Sequence, residues 1–239
     1  MARVLVMFCL MLFALPASAQ TFNAQEQAEI RAIVRDYLVN NPDVLREAID
    51  ALEERTQNER WQRIRSDPRD FSIGPADAPI VIVEFFDYRC PYCHAALEWV
   101  DDIARSRNDV RIVLKELPIL SEQSMEAAQA AIAAIPQGRY WQFHRALMSE
   151  RGDLSSARID ALARAAGIDV PRMRRAMNEP EIIELLQQNR SHAIEVSNNP
   201  ATPLFMINGE IVQGYDRQRL DQRLREATQA VRARNAARR

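Results

Sequence analysis

Cysteine is scarce. The 239 residues carry three, Cys9, Cys90 and Cys93. So few exclude a disulfide-stapled scaffold, which needs a denser and even set. Lysine is scarcer still: Lys115 is the only one among 31 basic residues. Six glycines exclude collagen-like and glycine-rich low-complexity chains. An excess of charge of one sign is missing too. The formal net charge is −2, so no overall field steers the chain toward nucleic acid, and none is expected as a partner. What is present is ordinary globular material. Hydrophobic residues make up 47% and charged residues 27%, which excludes wholesale disorder, and the length suits one or two domains.

Long apolar runs are limited to one. Arg3 precedes Val4 to Leu15, Pro16 ends the run, and Ala17-Ser18-Ala19 places small residues at a cleavage site. The run is about a dozen residues, short of the roughly 20 that span a bilayer. Residues 1–19 therefore read as a cleaved secretory leader and the rest as a soluble periplasmic protein. Cys9 leaves with the leader. The mature chain then holds a single C-x-x-C pair in an oxidising compartment.

Residues 20–66 read as a helical segment. Ile30, Ile33, Val34, Tyr37 and Leu38 form one apolar stripe. Asn41-Pro42 breaks it, with Pro42 at a first helical position, and Val44, Leu45, Ala48, Ile49 and Leu52 continue. Stripes this thin cannot build a core, so they must dock on the main domain or on a copy of themselves. Asp67-Pro68 and Gly74 to Pro79 read as a linker. Residues 67–239 form the main domain. Ile80 to Phe86 suits a strand buried on both faces, Pro91 to Arg107 a helix, and Val110 to Leu117 a second strand, together a β-α-β unit. Residues 121–197 are helical throughout, with Tyr140, Trp141 and Phe143 expected in the core. Strands return at Leu204 to Ile207 and Ile211 to Gln213, joined by Asn208-Gly209, a strong hairpin signal. A basic helix ends the chain. The pattern is an α/β sheet domain interrupted by a helical insertion.

The pair Cys90-Pro91-Tyr92-Cys93 admits several chemistries. A zinc site needs about four ligands, and only His94, His144 and His192 accompany the cysteines, with no second pair at finger-like spacing. Cys90 to His94 spells C-x-x-C-H, a haem-attachment pattern, yet a buried strand running into an uninterrupted helix suits a dithiol better. A structural disulfide would close a tiny loop and restrain the unfolded chain little. Redox exchange has a mechanism. Cys90 falls at the N-cap of a helix whose unpaired N–H groups and dipole stabilise a thiolate. Cys90 is expected as the exposed attacking thiol and Cys93, inside the helix, as the buried resolving thiol. His94 reads as a solvent-facing helix residue. Glu84 interrupts an apolar strand, so it reads as a buried carboxylate behind the site, able to move a proton to or from Cys93. Lys115, midway in the next strand, is expected as its ion partner.

Glu84-Phe85-Phe86-Asp87-Tyr88-Arg89-Cys90-Pro91-Tyr92-Cys93, with Thr202-Pro203-Leu204-Phe205, resembles DsbA-like thiol–disulfide oxidoreductases of the thioredoxin fold. The likeness covers about residues 71–230 and includes the helical insertion. The N-terminal extension with its Asn-Pro-Asp break resembles the ScsC-type (suppressor of copper sensitivity) subgroup. The resemblance implies a thioredoxin fold with a helical insertion and an N-terminal helical extension. It implies a cis proline at Pro203 facing the dithiol, with Thr202, Pro203, Pro91 and Tyr92 meeting substrate, and it supports the Glu84–Lys115 pair. Thr202 replaces the Val of the strongest oxidases and is familiar in isomerase-type and ScsC-type relatives.

The expectation is a periplasmic thiol–disulfide oxidoreductase working through a redox-active Cys90–Cys93 disulfide, with no other cofactor. Its partners would be cysteine-containing exported proteins and a membrane redox protein. Alternatives are an oligomeric isomerase or reductase linked to copper tolerance, assembled through residues 21–65, and a copper-binding protein using both thiolates as soft Cu(I) ligands.

Overall fold

The computed structural model describes residues 22–238; the leader with Cys9 lies outside them. The chain divides into two compact units, residues 1–54 and 55–239. The first holds helix α1 (Ala24–Asn40) and the opening turns of α2 (Pro42–Arg65). Asn23 caps α1 in a capping box with Glu26, each side chain taking a backbone N–H of the other. No residue of α1 is buried. Ile30, Ile33, Val34 and Tyr37 stand exposed along α1, and Leu45, Ile49 and Leu52 along α2. The division falls inside α2, not after residue 66 as the sequence reading places it. The reason is packing: Trp61 and Ile64, on the last turns of α2, belong to the core of the second unit, where Ile64 is fully buried.

The second unit is built on a five-stranded sheet of order β1-β3-β2-β4-β5. These are β1 (Phe71–Ile73), β2 (Ile80–Phe86), β3 (Val110–Glu116), β4 (Leu204–Ile207) and β5 (Glu210–Gln213). Only β2 and β3 run parallel; the others pair antiparallel. Helix α3 (Pro91–Ser106) makes the crossover between β2 and β3. Between β3 and β4 come α4 (Glu122–Ala133), α5 (Tyr140–Ser149), α6 (Ser156–Ala165), α7 (Val170–Ala176) and α8 (Pro180–Val196). Helix α9 (Arg217–Ala237) closes the chain. Every residue of β2 is buried, as a parallel strand covered on both faces requires. Ile82, Phe86, Ile112 and Phe205 join the larger core with α3 and α5, while Val83, Phe85, Val113 and Met206 join a smaller core with Ile64 and Ala193.

Of two loops, one follows the sequence reading and one departs from it. Asn208 (φ 49) and Gly209 (φ 95) both adopt the left-handed region that a two-residue hairpin needs, as Asn-Gly suggests. Residues 67–79, by contrast, are not a plain linker. Phe71–Ile73 pairs with β3 as an edge strand too short for a readable alternation. Gly74 (φ 102) turns the chain there, with no room for a Cβ, which would meet the Val110 carbonyl oxygen at 2.2 Å.

Candidate active site

The buried strand β2 delivers Phe86 to the edge of the core, and the chain turns immediately. The Cys90 N–H donates to the Asp87 carbonyl at 3.0 Å, closing a tight turn. Cys90 is then the extended N-cap of α3, with Pro91 at the first helical position, where its missing N–H costs nothing. The Cys90 carbonyl accepts from the Cys93 and His94 N–H groups, both at 3.1 Å. Cys93 thus sits one turn into the helix, 1% exposed, and both thiols are free.

The two thiols are driven apart chemically. Cys90 is held down to about 5, first by a hydrogen bond from the Cys93 thiol, against the opposing effect of burial. The Thr202 side chain and the backbone N–H groups of Cys93 and Tyr92 add to it. Cys93 is pushed far up by burial, with the hydrogen bond to Cys90 and the nearby Glu84 charge acting in the same direction. The Asp87 backbone N–H, hydrogen-bonded to the Cys93 sulfur, pulls the other way. Cys90 is not the exposed thiol the sequence reading describes. It is 4% exposed, because the loop before β4 covers it: the Cys90 thiol donates to the Thr202 carbonyl at 3.1 Å. The Thr202–Pro203 peptide bond is cis, and Pro203 is buried beside Leu204. Pro91 and Tyr92 are exposed on the rim, Tyr92 by 66%.

Glu84 is buried behind the pair, 3% exposed, on the face of the sheet that α3 covers. Burial pushes its carboxyl up to about 8, with the Cys90 charge adding. It is therefore a neutral acid at pH 7, close enough to both sulfurs for its charge to be felt. It does not pair with Lys115. In the parallel register Glu84 lies opposite Leu114, and Lys115 lies opposite Phe85. Side chains alternate along a strand, so Lys115 points to the far face. There it is fully buried and forms its ion pair with Asp70, just before β1, and donates to Asn189 Oδ1 of α8 at 3.1 Å.

The sequence reading missed three neighbours of the site. Asp87, 1% exposed, accepts four hydrogen bonds. Glu116, at the end of β3, accepts from the Tyr88 and Tyr140 hydroxyls at 2.8 and 2.7 Å, and burial pushes its carboxyl well above the usual carboxylate range. Tyr88 also meets His144 Nδ1 at 3.1 Å, and burial holds that imidazole down to about 3. This net ties the turn before Cys90 to α5. His94 is half-buried, not solvent-facing: its Nε2 lies 2.6 Å from the Tyr88 carbonyl oxygen. A polar residue inside an apolar run was the available signal for Glu116, as it was for Glu84. Among the described residues no group of three or more His, Cys, Asp and Glu side chains is placed to hold a metal ion.

Residues 66–226 match the thioredoxin family, and residues 26–59 match the N-terminal domain of copper resistance protein ScsC. A thioredoxin-like oxidoreductase from Silicibacter pomeroyi DSS-3 is 34% identical with a TM-score of 0.66, over 72% of this chain and 97% of that one. A linker-deleted mutant of Proteus mirabilis ScsC is 28% identical with a TM-score of 0.66, over 89% of this chain and 100% of that one. The Na(+)/H(+) antiporter NhaA 1 of Salinispora arenicola is 31% identical over 143 residues, 59% of this chain. The match spans 22% of that curated relative's length. The chain belongs to the thioredoxin family, as a DsbA-like member with an ScsC-type N-terminal extension.

Proposed function

We propose that the protein is a periplasmic thiol–disulfide oxidoreductase that forms or exchanges disulfides in exported proteins through Cys90 and Cys93. The observation that carries this reading is the asymmetry of the pair: one thiol held near 5, its neighbour held high, and a neutral carboxylic acid behind both. In the oxidising direction a substrate thiolate attacks the Cys90 sulfur. The Cys90–Cys93 bond breaks, Cys93 leaves with the electron pair, and Glu84 supplies its proton. A second substrate thiolate then attacks the substrate's own sulfur in the mixed disulfide and expels Cys90, a good leaving group because its thiolate is stable. The backbone at Thr202 and Pro203 and the exposed Pro91 and Tyr92 frame the place where an extended substrate segment would lie. No cofactor beyond the Cys90–Cys93 disulfide is needed. A membrane redox partner would restore the working state.

The leader read in residues 1–19 supports the periplasmic location. Trapping tests the chemistry. A Cys93→Ser variant incubated with a disulfide-bonded substrate protein is expected to accumulate a mixed disulfide at Cys90, and Cys90→Ser none. A Cys90→Ser variant that still exchanges disulfides would refute the assignment. A second reading is an oligomeric isomerase or reductase linked to copper tolerance. The uncovered apolar stripe of α1 and early α2 favours it, because two or more active sites held on one assembly suit isomerisation.

A further inference from the structure

Arg89 is the residue before Cys90, and the Asp87 carboxylate clamps the turn that carries both. Its Oδ1 accepts from the Arg89 N–H and the Ser124 hydroxyl, each at 2.7 Å. Its Oδ2 accepts from the Ile119 and Leu120 N–H groups, which fastens the turn to the helical insertion. From this fixed backbone the Arg89 guanidinium reaches the loop between α5 and α6, where Nη1 donates to the Gly152 carbonyl at 2.8 Å. Arg151, beside Gly152 in the chain, donates from its own Nη1 to the Met148 carbonyl at 3.1 Å. Both arginines are exposed, and among the described residues neither has a carboxylate at ion-pair distance. The acids of that loop have other partners: Glu150 pairs with Arg158, and Asp153 accepts from the Gln123 amide at 2.7 Å. A carbonyl oxygen fixes a guanidinium without neutralising it, and each guanidinium keeps further N–H donors to spare.

We propose that Arg89 and Arg151 form a cationic rim that selects substrate segments with an acidic side chain within about three residues of their cysteine. This rests on the oxidoreductase reading above and names the substrate class of that site. An extended segment advances about 3.3 Å per residue, so the residues flanking a sulfur seated at Cys90 lie along this rim. Pro91 and Tyr92, which follow Cys90 on the surface, are exposed but uncharged. Arg89 therefore brings the charge to the chain around Cys90, and Arg151 adds a second from the loop that Arg89 touches. A carboxylate matches the planar guanidinium fork, taking two N–H donors from one arginine. Exposed charges of this kind act mainly on the encounter, and salt screens them.

The test uses the Cys93→Ser protein, which cannot resolve a mixed disulfide, and the disulfide dimer of a short single-cysteine peptide. The peptide carries either Glu or Gln two residues to each side of its cysteine. The Cys90 thiolate attacks one sulfur of the dimer, the peptide disulfide breaks, and one peptide leaves as its thiolate. Acid quenching and mass resolve the rate. The ratio of the Glu rate to the Gln rate is expected to fall about fivefold when Arg89→Gln and Arg151→Gln are added together. Comparing ratios cancels the peptides' own reactivity and any change at Cys90 itself. The same fall is expected without either substitution in about 1 M salt. A ratio that is equal in the two proteins, or that survives the salt, overturns the inference and leaves the oxidoreductase reading standing. A Cys93→Ser protein that forms no mixed disulfide with either peptide sinks that reading and the inference with it.

Discussion

Cys90 and Cys93 are three residues apart, and a helix N-terminus makes them unlike. The first meets unpaired N–H groups and a thiol donor; the second meets apolar side chains and a carboxylic acid. A thiolate near 5 against an ordinary thiol near 9 stabilises the reduced folded state by about 3 kcal/mol at pH 7. Glu84 works in the other direction. Its folded value near 8 exceeds its unfolded 4.5, so its contribution to stability is whole below pH 4.5 and is lost as pH rises through about 8. In the oxidised protein, where Cys90 cannot titrate, Glu84→Gln is expected to remove that decline, on the order of a few kcal/mol, without unfolding the protein. Exchange is expected to slow at least about tenfold, since Gln carries no proton to give. Denaturant unfolding across pH and exchange kinetics check both; a slope kept in the variant would contradict the assignment. The places of Cys90 at a helix start and of Glu84 inside a buried strand were legible because each breaks a pattern: a strand meeting C-x-x-C, and a charge inside an apolar run. The Glu84–Lys115 pair was not legible. Midpoints of two strands say nothing about register, and a one-residue offset sends a side chain to the opposite face.

That offset gives Lys115 an element-scale role. It joins three elements: its own β3, the segment before β1 through Asp70, and α8 through Asn189. Both charged side chains are buried, at 0% and 1% exposure. Asp70→Asn leaves an uncompensated buried ammonium and is expected to cost about 3–5 kcal/mol, read by denaturant unfolding. Because the pair lies across the sheet from Glu84, the Cys90 titration is expected to stay near 5 in that variant. A shifted titration at unchanged stability would reverse the assignment and return Lys115 to the active site. The β-α-β unit, the hairpin and the run of insertion helices follow from local pattern: apolar periodicity, Pro91 at a helix start and Asn-Gly at a turn. Strand β1 escapes such reading because three residues carry no period. The Asp87 clamp escapes it because its donors, Ile119, Leu120 and Ser124, lie more than thirty residues away.

At the scale of the whole molecule the two units have opposite economies. Residues 55–239 bury most of their apolar side chains, whereas α1 buries none and leaves Ile33 at 67% exposure, and the first turns of α2 leave Leu52 at 64%. A second copy of the chain would cover such a stripe. Light scattering is expected to show an oligomer for the full mature chain and a monomer once residues 22–54 are deleted; equal monomeric masses would end the oligomer proposal. The central claim is that Cys90 and Cys93 form a redox pair whose reduced state is favoured. The reduction potential against glutathione tests it most directly. A value of about −120 to −180 mV is expected, the range of strong disulfide donors and isomerases. A value below about −300 mV would make the pair an inert structural disulfide and contradict the claim.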